Sequence, residues 1–323
     1  MINKEFNEQQ NLVWKKHGLL LQPNKDIDWI SNGIGPSHYI KQKNGKSYLY
    51  ITGRDSNNVS RIGRVEVLGI QNEKLIVSEI PQNPLFDVGE IGCFDESGVS
   101  YPWIIEHEST IFMFYVGWLA GGISGFQNFS GLAISLDNGS TFKRVQRNPI
   151  LERTNMEHFG TGSLCVTKES NGMWTMLYTS FESWRKNENL EIIPSYNIKK
   201  AESADLVNWK RKQEVAVDLQ SNEEHVIGKP TIFDIDGKSL LFYSVRGKRY
   251  KIGYAIKNSN GSFKRLDMLQ TLTTSDSGWD SEMVEYAQAF EFQSKIIMIY
   301  NGNGYGRTGL GYATLKVEGY QND

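Results

Sequence analysis

The chain has 323 residues and a formal net charge of −2, with 39% apolar, 12% aromatic and 22% charged residues and 31 glycines. That composition suits a globular protein rich in strands and turns and excludes a disordered one, and the balanced charge offers no broad basic field for nucleic acid or an anionic bilayer. No apolar run reaches transmembrane length, and the stretch from Met1 to Gln10 lacks the apolar core of a secretory signal, so the expected location is cytoplasmic.

Residues 1–30 precede the first clear strand, carry Trp14 and Trp29, and are expected to pack on the body of the fold. From there one pattern repeats. A strand bearing a tyrosine recurs at Tyr50, Tyr115, Tyr178, Tyr243 and Tyr300, every 57 to 65 residues. Each is followed by a strand of small residues, such as Gly131-Leu132-Ala133-Ile134 or Leu310-Gly311-Tyr312-Ala313. Three copies end on a matching edge: Phe142-Lys143-Arg144, Trp209-Lys210-Arg211 and Phe263-Lys264-Arg265.

The fullest copy runs from Gly228 to Leu266. Thr231 to Asp234 turns at Asp236-Gly237 into Leu240 to Ser244; Lys251 to Ile256 follows, then Asn260-Gly261 and the edge Ser262 to Leu266. A four-stranded unit at a fixed period is the sequence form of a β-propeller. The expected fold is therefore all-β, a five-bladed β-propeller of four-stranded antiparallel blades, as a single domain over residues 1–323. A pair of sandwiches would have no reason to repeat one motif so regularly. Ring closure, by an N-terminal strand added to the last blade or by side-chain packing, is left open.

In a propeller the innermost strands surround a central channel, so residues at their starts converge from remote points. Those segments bring Asp95, Glu157, Glu224, Asp280, Glu282 and Glu285, with His38, His158 and His225. Acids gathered with histidines and aromatics suit glycosidic-bond chemistry, in which one carboxyl protonates the leaving oxygen and another activates water or stabilises the cation. Acids before strands also serve as turn and capping residues. Glu282 and Glu285 are three apart, which on an extended segment sends them to opposite faces; Glu285, directly before an apolar strand, is the one expected to face the channel.

Arg54, Arg61, Lys229, Arg246 and Arg307 flank blade strands, and converging guanidiniums would bind phosphate or carboxylate. Asp55 lies at the far end of the first tyrosine strand. Trp118, Trp184 and Tyr305 follow tyrosine strands in polar loops and are candidates for stacking on sugar rings. Cys93 and Cys165 read as reduced, buried side chains, and the five scattered histidines form no metal motif; no cofactor is expected.

The segments FDESGVSYP (94–102), SGLAISLDNGSTFKR (130–144), MLYTSFESW (176–184), YNIKKAESADLVNWKR (196–211) and GWDSEMVEY (278–286) resemble the five-bladed glycosidase superfamily of glycoside hydrolase families 43, 32 and 130 over nearly the whole chain. The most diagnostic pieces are the blade edges Ser135 to Phe142 and Ser203 to Trp209. In the hydrolytic families this resemblance implies an Asp base in the first blade, an orienting Asp in the second and a Glu acid in the third. Asp95 matches the second and Glu157 the third, but Pro36-Ser37-His38 stands where the base belongs, which argues against ordinary inverting hydrolysis. Asp55 or Glu285 would then supply the missing carboxylate.

Family 130 implies another chemistry, because its phosphorylases use phosphate in place of water and need basic residues to hold it. Three readings follow. The leading one is an enzyme that cleaves a glycosidic bond of an oligo- or polysaccharide. The second is a glycoside phosphorylase or glycosyltransferase of intracellular polysaccharide metabolism, with phosphate or a phosphorylated sugar donor as partner. The third is a propeller that binds glycans without catalysis. The expected catalytic residues are Asp95, Glu285, Glu157 and Asp55. The expected substrate contacts are His38, Arg54, Trp118, His158, Trp184, Glu224, His225, Lys229, Arg246, Asp280, Glu282 and Tyr305.

Overall fold

A computed structural model describes residues 12–187, 189–266 and 271–316; residues 1–11, part of the segment expected to pack on the body, lie outside these. The first sheet comprises Gly33–Lys41, Ser47–Arg54, Ser60–Gln71 and Lys74–Val77, and the second Gly98–His107, Thr110–Ala120, Phe126–Ser135 and Lys143–Arg144. The third holds Thr161–Lys168, Trp174–Lys186, Ile192–Ser203 and Lys210–Val217, and the fourth Val226–Ile235, Lys238–Arg246, Tyr250–Lys257 and Phe263–Arg265. A single parallel bridge, Tyr196 to Val226, joins these two. The last sheet is Glu285–Phe292, Lys295–Asn301 and Leu310–Leu315, completed by Trp14–Leu21. The first strand of each sheet lies against that of the next, and the last against the first. This is a β-propeller of four-stranded antiparallel blades.

The N-terminal strand decides how the ring closes. It pairs antiparallel with Leu310–Leu315, from Trp14 opposite Leu315 to Leu21 opposite Leu310, so the two ends of the chain share one blade. Apolar clusters fill the spaces between neighbouring sheets: Tyr50 and Ile62 of the first blade meet Met113 and Tyr115 of the second, and Phe242 and Tyr254 of the fourth meet Ala289 and Met298 of the fifth. All five repeat tyrosines are fully buried.

Burying a tyrosine leaves its hydroxyl in need of a partner, and in the second, third and fifth blades the acid before the inner strand supplies it, while in the fourth Tyr243 donates to the Tyr254 carbonyl at 3.3 Å. Tyr115 donates to Asp95 at 2.9 Å, Tyr178 to Glu157 at 2.8 Å and Tyr300 to Asp280 at 2.9 Å. The outermost strand then completes the group with a cation. Arg144 donates to Asp95 at 2.7 Å, Arg211 pairs with Glu157 at 3.1 Å, and Lys16, on the N-terminal strand, donates to Asp280 at 2.5 Å. In the fourth blade Arg265 reaches both oxygens of Glu224, at 2.9 and 2.8 Å, and lies over the Tyr243 ring.

The first blade is the exception, since apolar Ile30 follows Trp29 where Asp95 follows Phe94 and Asp280 follows Trp279, and Arg64 lies over Tyr48 and Tyr50 instead. Those three aromatics are seated by glycine pairs that leave no room for a Cβ: Gly53 and Gly63 under Trp29, Gly117 and Gly131 under Phe94, Gly302 and Gly311 under Trp279. Among the described residues no helix is long and apolar enough to cross a membrane. Cys93 and Cys165 are both free, the first half-buried and the second buried.

Asp95→Ala would leave Arg144 and Tyr115 without their carboxylate in a buried site, and it should cost about 3 kcal/mol of unfolding free energy in urea titrations. A loss within experimental error would show that the clamp carries no stability.

Candidate functional site

The inner strands share a device that aims side chains into the channel. In each, one extra residue is inserted against the tyrosine strand, between Ile34 and Ser37, Ser100 and Trp103, Thr161 and Leu164, Gly228 and Thr231, and Glu285 and Gln288. These are β-bulges, which re-aim a side chain and interrupt pairing. Tyr101, Lys229 and Tyr286 sit in them at φ of 53°, 53° and 59°, a region costly for non-glycine residues that persists where surrounding structure enforces it.

The bulges border a cavity of about 480 Å³ whose walls come from all five blades. Tyr101, Tyr196, Tyr250, Tyr286 and Tyr305 supply phenols; Trp118, Phe126 and Phe181 supply apolar ring faces; Arg54, Lys229 and Arg246 supply cations. Among the described residues no Asp, Glu or His lines it. Trp118 is held by a bond from its Nε1 to Ser100 Oγ at 2.6 Å, and the hydroxyls of Tyr196 and Tyr250 are 2.9 Å apart. Neither Arg54 nor Arg246 closes a salt bridge with a carboxylate among the described residues. Arg54 donates to the Tyr305 carbonyl at 2.5 Å, and Arg246 lies 5.4 and 5.7 Å from the ring centres of Tyr250 and Tyr305.

The candidates read from the sequence therefore divide. Arg54, Trp118, Lys229, Arg246 and Tyr305 border the cavity, and Trp184 stands behind it, packed on Phe126 and Phe181. Asp95, Glu157, Glu224 and Asp280 do not; each is the carboxylate of a blade clamp. Burial alone would push the Glu157 carboxyl up, yet bonds from Gln213, Tyr178 and Ser180 with the Arg211 charge hold it below the usual range. Asp55 accepts Arg61 at 2.8 Å and the backbone N–H groups of Asn57 and Val59, which makes it the organiser of its turn.

His38 is buried, stacked on Trp103, and accepts the Ile104 N–H at its Nδ1; burial, then Lys229, pushes its pKa down, so it stays neutral. His158 is exposed against Phe159, and His225 is packed beside the Tyr196–Val226 bridge, away from the walls. Glu282 is exposed and its N–H is capped by Asn303, whereas Glu285 is fully buried beside the cavity. The residues missed by sequence reading are Tyr101, Tyr196, Tyr250, Tyr286, Phe126 and Phe181. One signal was present: Pro36, Pro102 and Pro230 interrupt inner strands, and proline within a strand marks a bulge.

Burial brings two ionisable groups at the channel, one acid and one base, towards neutrality. Burial raises Glu285 to about 8, opposed by Arg54, the Tyr286 side chain, Arg246 and the Tyr305 backbone. Neither of its oxygens makes a hydrogen bond of good geometry. Burial lowers Lys229 to about 7, and its Nζ reaches across the channel to the carbonyls of Ala287 at 3.2 Å and Ser37 at 3.4 Å. Among the described residues no group of three or more His, Cys, Asp or Glu is arranged to hold a metal ion.

Comparison with solved structures decides the architecture. A glycoside hydrolase superposes at a TM-score of 0.73 with 15% identity, over 97% of this chain and 94% of that one. A structure described under the GH130 family of mannoside phosphorylases, said to contain glycoside hydrolases acting on β-1,2 mannosidic linkages, superposes at 0.70 with 16% identity, over 96% of both chains. The chain has the fold of the β-propeller glycosidases. The GH32 β-fructofuranosidase of Bombyx mori superposes at 0.64 with 17% identity, this chain covering 63% of it. An uncharacterized protein of Mycobacterium tuberculosis is 29% identical over 308 residues, 94% of this chain and all of that one. The chain matches no protein-family model.

Within this glycosidase fold the channel chemistry has a measurable signature. Between about pH 4.5 and 8 the native state keeps the Glu285 proton that the unfolded chain has released, so stability falls as pH rises through that window. Between about 7 and 10.5 the unfolded chain holds the Lys229 proton that the native state has lost, so stability rises. Glu285→Gln should flatten the first slope and raise the melting temperature near pH 8 but not below pH 4; Lys229→Met should flatten the second. Identical pH profiles of melting temperature in variants and parent would refute the buried titrations.

Proposed function

We propose that this protein acts on a glycosidic bond in its central cavity with an anionic co-substrate, phosphate or the phosphate of a sugar donor, held by Arg54 and Arg246. The observation that carries the reading is a cavity walled by guanidiniums and tyrosines, with no carboxylate among the described residues that line it. Hydrolysis by the two-carboxylate route needs one acid for the leaving oxygen and a second group to activate water or attack the sugar. An oxyanion of phosphate is already a nucleophile and needs no general base, so one acid suffices. Glu285 is the unclamped acid beside the cavity.

Unpaired, partly desolvated guanidiniums are suited to phosphate, because their N–H forks match its oxygens and their charge survives burial. Trp118, Phe126 and Phe181 offer flat apolar surfaces for sugar rings, as in other carbohydrate and small-molecule sites. The test is a screen of aryl glycosides and oligosaccharides with and without phosphate. Phosphate-dependent turnover is expected, and Arg54→Gln or Arg246→Gln should each raise the KM for phosphate roughly 10- to 100-fold. Turnover at full rate without phosphate, unchanged in both arginine variants, would overturn the reading. Saturable glycan binding with no turnover under either condition would assign the cavity to recognition alone.

A further inference from the structure

The acids that precede inner strands, Asp280 of the same blade included, have structural work, and Glu285 has none. Asp95, Glu157, Glu224 and Asp280 each hold a cation from the outermost strand of their blade. Glu285 has 0% exposure, no ion pair within salt-bridge distance among the described residues and no hydrogen bond of good geometry to either oxygen. A buried carboxyl with neither an ion pair nor a well-formed hydrogen bond is destabilising, and its persistence points to use.

What faces Glu285 is a wall of phenols and two guanidiniums: Tyr101 from the second blade, Tyr196 from the third, Tyr250 and Arg246 from the fourth, Arg54 from the first, and its neighbours Tyr286 and Tyr305. Among these, Tyr286 links the acid to the cavity. It follows Glu285 in the bulge and lines the cavity, its side chain is near enough to the Glu285 carboxyl to favour the ionised form, and its ring lies 5.3 Å from that of Tyr101. The positive φ of Tyr286 turns its side chain away from an ordinary strand alternation, so consecutive residues serve one site. Catalytic hydrogen bonds of this kind are often loose without substrate and tighten when it binds.

We propose that the Tyr286 hydroxyl is the proton donor to the leaving oxygen of the bound sugar and that Glu285 is the store behind it. This rests on the reading of the cavity given above. As the bond from the anomeric carbon to the leaving oxygen breaks, its electron pair stays on that oxygen, which takes the Tyr286 proton. Tyr286 takes the Glu285 proton in the same step, and a phosphate oxygen forms the new bond to carbon. Glu285 ends as a carboxylate facing Arg54 and Arg246, and solvent restores its proton once products leave.

The test has an arm that needs no substrate. In protein carrying glutamate labelled with ¹³C at the side-chain carboxyl, the resonance absent from Glu285→Gln should titrate near pH 8. Tyr286→Phe should raise that midpoint, since it removes a donor to the ionised form, whereas Tyr39→Phe, remote from the cavity, should not. In the phosphate-dependent assay both Glu285→Gln and Tyr286→Phe should lower kcat at least about 100-fold with little change in KM for phosphate. A Glu285 midpoint in the ordinary carboxylate range, or a Tyr286→Phe variant with parental midpoint and kcat, overturns the proposal. An intact, Tyr286-dependent titration with no turnover on any glycoside supports the proton store and counts against the phosphorolytic reading instead.

Discussion

The buried phenol, carboxylate and cation that recur from blade to blade are the interaction on which this propeller depends. A four-stranded sheet whose outer strand is as short as Lys143–Arg144 has little independent stability. In the second, third and fifth blades the clamp ties three parts at one point: the tyrosine strand, the loop that enters the inner strand, and the edge. Its net stabilisation is modest, because three polar groups must be desolvated, but losing one member strands the others in an apolar space. The fifth blade shows how general the requirement is. Its outer strand comes from the opposite end of the chain, and that strand brings Lys16 to the position filled by arginine elsewhere.

The clamp has a consequence for chemistry. Carboxylates at the mouth of each inner strand are consumed by structure, so they are not presented to the channel. What the channel receives is set one turn of chain later, by the bulges, where Tyr101, Lys229 and Tyr286 are aimed inward. A fold shared with glycosidases carries phenols and guanidiniums at its centre here, and function resides in such sites grafted on a common architecture.

Burial then sorts the charges in that centre. Lysine surrenders its proton readily when desolvated, and Lys229, sealed against two backbone carbonyls, is poised between its two states near neutrality. Arginine does not, so Arg54 and Arg246 remain the fixed positive charges of the cavity. Glu285 responds in the opposite sense and keeps its proton. The same exclusion of water therefore yields a site with two persistent cations, a neutral acid and a ring of phenols.

Much of the fold was legible in the chain. The tyrosine strands, their small-residue partners and the Lys-Arg edges encode blades because alternation and turn chemistry are local, and a local pattern repeated at a fixed period leaves few architectures open. Strand parity also separates Glu282 from Glu285, of which the first is exposed and the second buried. The clamps were not legible, because whether Asp95 or Glu157 meets substrate or meets Arg144 or Arg211 depends on an edge strand some fifty residues away. Nor could the cavity be composed from sequence: Tyr101, Tyr196, Tyr250 and Tyr286 are unremarkable strand residues until the ring closes and, for Tyr101 and Tyr286, a bulge turns the side chain inward. Periodicity specifies which faces are buried, but only the closed ring decides which buried groups meet one another and which meet a ligand.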